Sequence, residues 1–196
     1  MPTSLEEPRT PGAPVVKRTA LGQHFIGALV NVEQRPIMKR NAAGVMEPAL
    51  KADNKPRQEL VLTLIAMPGT TAPAGIGEVT AVPEPGDKVR LILRGQSFAE
   101  WIQAKKDHGQ LMTGDVVTQT TDHGQAYDAQ GQPHGPKLTT QAQVDAVPRA
   151  QTLGIYGPIN LRKPTPAETQ WVEAADAAHH DAVVRTPIVE DDDAPF

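Results

Sequence analysis

Residues 88–102 read Lys88-Val89-Arg90-Leu91-Ile92-Leu93-Arg94-Gly95-Gln96-Ser97-Phe98-Ala99-Glu100-Trp101-Ile102. From Lys88 to Arg94 apolar and polar residues alternate with the period of a half-buried strand. Val89, Leu91 and Leu93 point to one face, and Lys88, Arg90 and Arg94, with Ile92, point to the other. Ser97 and Glu100 then stand at capping-box spacing, and Gly109 supplies a stop one residue after His108. This predicts a helix over Phe98–His108, with Phe98, Trp101, Ile102 and Lys105 near one stripe. A further strand follows from Asp115 to Thr121, with a continuation to Tyr127.

Working outward on the N-terminal side, Phe25–Val32 and Glu59–Met67 are β-rich runs, the second ended by Pro68-Gly69. Between them Pro36–Pro56 is rich in Lys, Arg, Asn and Gly, and suits a long basic hairpin or loop. Thr70–Gly86, rich in proline and glycine, is expected to cross the surface. On the C-terminal side, Asp128-Ala129-Gln130-Gly131 reads as the turn of a polar hairpin. Leu138–Val147 fits either a strand or a short helix capped by Thr139 or Thr140. Leu153–Leu161 is a strand broken by Gly157-Pro158, and Thr165-Pro166-Ala167-Glu168 is a second capping box opening a helix to about His180. Residues 1–16, with Pro2, Pro8, Pro11 and Pro14, read as a mobile arm. The organisation expected is therefore arm 1–16, body 17–163, helix 164–180 and acidic tail 181–196. Three strands, a helix and two more strands is the element order of the OB-fold, a mostly β, five-stranded barrel with its helix between strands three and four.

The chain of 196 residues is 39% hydrophobic and 21% charged, which describes a globular protein with one well-buried domain. No apolar run is long enough to span a bilayer and no signal peptide precedes the body, so the interior of a cell is the expected compartment. The absence of cysteine excludes disulfides, thiolate metal sites and a Cys nucleophile. The net charge of −4 is unevenly spread. Residues 17–106 hold 13 Lys/Arg against 8 Asp/Glu, while residues 168–196 hold 8 acids against Arg185 alone. A basic body with an acidic end fits a nucleic-acid binder carrying its own acidic competitor. The histidines His24, His108, His123, His134, His179 and His180 show no metal-ligand spacing with acids, and neither a P-loop nor a nucleophile elbow occurs. No cofactor is expected, and the chain reads as a non-enzyme.

The chain ends in Glu190-Asp191-Asp192-Asp193-Ala194-Pro195-Phe196. A terminal Phe beside its own α-carboxylate offers an apolar anchor and a group that an Arg can grip with two hydrogen bonds. Pro195 stiffens the approach, and Asp191, Asp192 and Asp193 steer it toward basic surfaces. This end resembles the acidic tip of the bacterial single-stranded DNA-binding protein family, Asp-Asp-Asp-aliphatic-Pro-Phe. The body resembles a diverged OB-fold protein of the kind encoded by actinobacterial phages. The resemblance implies a protein of the bacterial host cytoplasm. It would coat single-stranded DNA during replication or recombination and recruit replication and repair enzymes through the tip, and a homo-oligomer is compatible with it. Two departures stand out: only Asp181–Val189 separates the last helix from the acids, and the C-terminal helix is an addition. The rival reading is an interaction adaptor whose tail mimics the host tip.

Sequence-neutral binding of single strands needs cations for phosphates and aromatic faces for bases. Lys88, Arg90 and Arg94 are the first candidates, because alternation puts them on one strand face. Arg35, Lys39, Arg40, Lys51, Lys55 and Arg57 in the basic hairpin come next. Phe25 and Tyr127 are the candidate stacking residues, whereas Phe98 and Trp101 are expected to plug the end of the barrel and Trp171 to dock the C-terminal helix. With few aromatics, affinity should lean on electrostatics.

Overall fold

A computed structural model of the chain describes residues 12–51, 53–129, 131–148 and 150–179. The tail 181–196, with its tip Asp191–Phe196, and the first part of the N-terminal arm lie outside the described residues. In chain order the elements are β1 (Val15–Val16), β2 (His24–Pro36), β3 (Met38–Arg40), β4 (Met46–Pro48), β5 (Gln58–Ala66), β6 (Ala74–Ile76), β7 (Val79–Ala81) and β8 (Lys88–Leu93). Then come α1 (Gln96–His108), β9 (Val116–Thr120), β10 (His123–Tyr127), β11 (Pro133–Leu138), α2 (Gln141–Asp145), β12 (Thr152–Tyr156), β13 (Ile159–Arg162) and α3 (Pro166–His179). The protein is mostly β. An eight-stranded sheet runs in the order β13-β9-β2-β5-β8-β1-β6-β7, a second sheet in the order β11-β10-β12, and β3 and β4 form a separate ribbon.

The central meander β2–β5–β8 is built as its side-chain alternation dictates. Val89, Leu91 and Leu93 of β8 and Leu60, Leu62 and Leu64 of β5 face one core with Phe25, Leu29 and Val32 of β2. Trp101 of α1 seals it with no exposed surface, and Phe98 and Ile102 pack partly buried against it. Each such Leu or Val stabilises the fold by about 1.5–3 kcal/mol relative to its exposed state. On the opposite face Ala28, Ile65, Met67 and Val116 form a second core covered by Val172 of α3, with Trp171 beside it, so the C-terminal helix docks through Trp171 as expected.

The predicted closed barrel is corrected: among the described residues the sheet is open, ending in β13 and β7. The outer edge of β8 is taken by Val15 of β1, which pairs with Arg90 in parallel. A closing strand would need that edge, and β13 instead pairs only with β9. Residues 15–16, assigned to a mobile arm, are therefore part of the sheet. The strand expected to run from Asp115 to Tyr127 also divides. At Thr121-Asp122 the chain leaves the large sheet for the small one, and it returns at Gly157-Pro158, where the predicted kink separates β12 from β13. Gly157 is required there, because a Cβ would lie 1.8 Å from the Thr120 carbonyl oxygen.

The helix of the opening stretch begins earlier than its capping box indicates. Gly95, at φ 53°, caps α1 without a side-chain hydrogen bond, while Gly109 ends it as predicted. A positive φ, which glycine tolerates, turns the chain directly from strand into helix. Ser97 is therefore already helical and fully buried, and its Oγ accepts from Arg18 Nη1 at 3.0 Å. Arg18 Nη2 also donates to the Ile92 carbonyl at 3.1 Å. The ambiguous stretch after Leu138 becomes α2, with Thr140 and Gln143 forming a reciprocal capping box. Thr70–Gly86, expected to cross the surface, instead buries Ala72 and Ala74 in the main core and carries the hairpin β6–β7.

The second capping box forms as read. Glu168 N donates to Thr165 Oγ1 at 3.3 Å and Thr165 N donates to Glu168 Oε2 at 2.8 Å. Arg162 Nη1 and Nη2 also grip the two Glu168 oxygens at 2.7 and 2.6 Å. Chiefly through that guanidinium, the Glu168 carboxyl falls from its ordinary 4.5 to about 2. A folded-state value below the unfolded one adds stability that is present above about 4.5 and lost as pH falls toward about 2. The Trp171 indole N–H signal in NMR spectra should therefore shift or broaden across that window in wild type. In Glu168→Gln it should stay flat; an identical titration in both would exclude this pair as the cause.

Candidate nucleic-acid interface

Beyond Pro36 the two long strands β2 and β5 continue as a basic finger. Its base is a triangle of backbone bonds: Ile37 N donates to Arg57 O, Arg57 N to Ala49 O and Ala49 N to Ile37 O, at 2.8, 2.7 and 2.7 Å. This ties the outgoing and returning chains together and holds Ile37, Lys51 and Arg57 against the β8–α1 junction. The two sides enclose a cleft of about 540 Å³, lined by Ile37, Lys51, Arg57, Arg94, Gly95 and Phe98 over Gln34 and Gln58. Lys51 and Arg57 make no ion pair among the described residues. Because Gly95 caps α1 with no side-chain acceptor, the positive end of the helix dipole opens at the same place.

A buried carboxylate braces this cleft. Glu59, 3% exposed, accepts from Arg35 Nε at 2.8 Å through one oxygen and from Arg94 Nε at 2.5 Å through the other. Arg35 lies opposite Glu59 in the β2–β5 register, and Arg94 follows Leu93, which lies opposite Leu60. Both guanidiniums stay partly exposed, at 37% and 57% of their side chains. Two guanidiniums thus hold one carboxylate, Lys51 and Arg57 line the cleft with Arg94, and Phe98 sets an aromatic ring beside them. The arrangement can hold successive phosphates and one unstacked base.

The sequence-derived candidates divide. Arg94, Arg57 and Lys51 meet in the cleft, with Arg35 braced beside it. Lys39 and Lys55 make only exposed pairs, with Glu47 at 3.5 Å and Asp53 at 4.0 Å, of the kind that contributes little. Arg40 is exposed on the finger, and Lys88 is exposed on the sheet face opposite the main core. Arg90 is a correction: its Nε donates to the Ala13 carbonyl at 2.8 Å, so it holds the N-terminal segment on the sheet. Phe25 is a second correction, being 1% exposed within the main core and unable to stack on a base. Tyr127 is a third. It is half-buried in the small sheet, away from the cleft lining, with its hydroxyl 2.9 Å from that of Tyr156. Burial and that contact push the Tyr156 phenol well above its ordinary value. Phe98, expected to plug the barrel end, packs partly buried against the core and also lines the cleft. The signal was available in its position four residues after Arg94, across a glycine.

A second cleft of about 500 Å³ lies between α1 and the strands β10 and β13, with Glu100, Asp107, Asp122, His123 and Lys137 on its walls. His123 Nδ1 meets Asp122 Oδ1 at 2.5 Å and its Nε2 faces Gln96. No hydroxyl stands among the described lining residues, and the His–Asp pair sits where the chain enters β10. No helix of the described residues is long and apolar enough to cross a membrane. No protein-family model, curated protein or solved structure matches the chain.

Proposed function

We propose that the protein binds single-stranded DNA without sequence preference, coats it in phage or host replication and recombination, and recruits partner enzymes through the tip Asp191–Phe196. The observation that carries the DNA-binding half is the cleft where Lys51, Arg57 and Arg94 converge on Phe98 beside the open end of α1. Cations spaced along a groove with one aromatic face suit a flexible strand better than a duplex, whose bases are not free to stack. An OB-like plan is also supported. β2, β5 and β8 form a meander, α1 follows, and β9 returns to pair with β2, although β1 occupies the place of a closing strand. In this reading the chain is a binding protein and not an enzyme.

The direct test is anisotropy of labelled oligo-dT against a salt series. Binding should exceed that of a duplex of equal length and weaken steeply with salt. Equal affinity for both, or a salt-independent signal, would remove the reading.

The recruiting half is tested separately at Phe196. Changing it to Ala removes ring and geometry together, and appending one residue removes only the terminal carboxylate. Either change should cost on the order of 2 kcal/mol, the level of an interface hot spot. The readout is a pull-down with an enzyme that binds bacterial acidic tips. If wild type and both variants are retained equally, the tail is no more than an acidic end.

A further inference from the structure

Among the described residues, the exposed large hydrophobics fall into two groups. Met38, Val45, Met46 and Leu50 are 44–60% exposed on the basic finger, and Ile76, Val79 and Val82 are 53–81% exposed on the hairpin β6–β7 and the residue after it. Both are open in one copy of the chain, so neither covers the other. In the finger, Met38 lies opposite Pro48 and Arg40 opposite Met46, which puts these four on one side of the β3–β4 ribbon. Lys39 and Glu47 share the other side, joined by their ion pair. Ile37, the neighbour of Met38, lines the cleft, so the Met38 side turns away from it. A two-stranded ribbon is marginal in water unless an apolar side is covered.

The second group stands on the terminal strand of the large sheet. Among the described residues β7 has β6 on one side and no strand on the other. Its three residues, Val79-Thr80-Ala81, include neither the lysine nor the proline that usually blunts a free edge. The two patches also differ in charge. Residues 35–57 carry Arg35, Lys39, Arg40, Lys51, Lys55 and Arg57 against Glu47 and Asp53. Residues 74–87 carry Glu78, Glu84 and Asp87 and no Lys or Arg. A finger would repel a finger and an edge would repel an edge. Only finger on edge joins opposite charges around two apolar surfaces.

We infer that copies of this chain associate head to tail, the Met38–Met46 side of one finger docking on the Ile76–Val79 edge of the next copy. Such a heterologous contact leaves one finger and one edge open at the two ends, so it propagates into a row or closes into a ring. The inference stands without the DNA-binding reading and is tested on the free protein.

Sedimentation velocity over a concentration series should show wild type growing beyond a dimer. Met46→Lys, which spoils the finger, and Val79→Lys, which spoils the edge, should each sediment as monomers, and the two lysines repel in the doubly substituted contact. An equimolar mixture of the two should form dimers and nothing larger, because one variant keeps its edge and the other its finger. Should either substitution unfold the chain, Arg40→Glu and Glu78→Arg replace them: each alone should stay monomeric, and their mixture should regain growth, because unchanged Arg40 meets unchanged Glu78 in one contact and the two substituted positions meet with opposite charges in the next. A wild type that stays monomeric overturns the inference. So does a single variant that still associates, or a mixture that stays monomeric while wild type grows.

Discussion

Alanine at Lys51, Arg57 and Arg94 together should weaken binding of labelled oligo-dT about 100-fold near 0.1 M salt, and reduce the log–log salt slope by about 2. The size follows from counterion release, since each phosphate contact on a single strand contributes roughly 0.7 to that slope. These three side chains are chosen because they line one cleft beside Phe98. The control is Arg90→Ala. Arg90 is spent on the Ala13 carbonyl, so its loss should loosen the N-terminal segment while leaving the salt slope close to wild type. A triple variant with an unchanged slope would show that nucleic acid does not enter the cleft. A slope that falls in Arg90→Ala but not in the triple variant would move the interface to the exposed face of β8.

What the sequence disclosed about this region, and what it concealed, separates by range. The alternation of Lys88–Arg94, the stop at Gly109, the break at Gly157-Pro158 and the Thr165–Glu168 box are local patterns, and each formed as read. The larger errors involve a partner far away in the chain. Ser97 lost its capping role to Arg18, 79 residues earlier, and Arg90 was taken by Ala13 at a separation of 77. Phe25 has the composition of a stacking residue at a strand start, and only the facing strands bury it. Barrel closure failed for the same reason, because Val15 near the N-terminus took the edge of β8. The cations of the cleft were legible as basic residues in a finger. Their convergence was not, since it depends on the Ile37–Ala49–Arg57 backbone triangle and on the turn at Gly95.

Gly157→Ala should be among the most destabilising single substitutions in the chain, at about 3 kcal/mol or more, the upper end of overpacking costs. A Cβ at this position would lie 1.8 Å from the Thr120 oxygen, 2.6 Å from its carbonyl carbon and 2.9 Å from the Thr121 Cα. All three are backbone atoms, so no side chain can swing aside to make room. The surrounding bonds resist a shift as well. Gln119 Nε2 donates to Gly157 O at 3.1 Å, and Asp122 N donates to Tyr156 O at 2.9 Å. These bonds lock the outgoing crossing at Thr121-Asp122 to the returning one at Gly157-Pro158, and together the two crossings carry the small sheet. The measurement is urea unfolding followed by far-UV circular dichroism. Because compactness should be kept, the midpoint should fall by about 1 M or more at a nearly constant m-value. Pro158→Ala, which adds no atom to the contact, should move it far less. A Gly157→Ala midpoint close to that of Pro158→Ala would mean that the two sheet crossings are not packed against each other. A midpoint held with a lowered m-value would point instead to a small sheet that unfolds by itself.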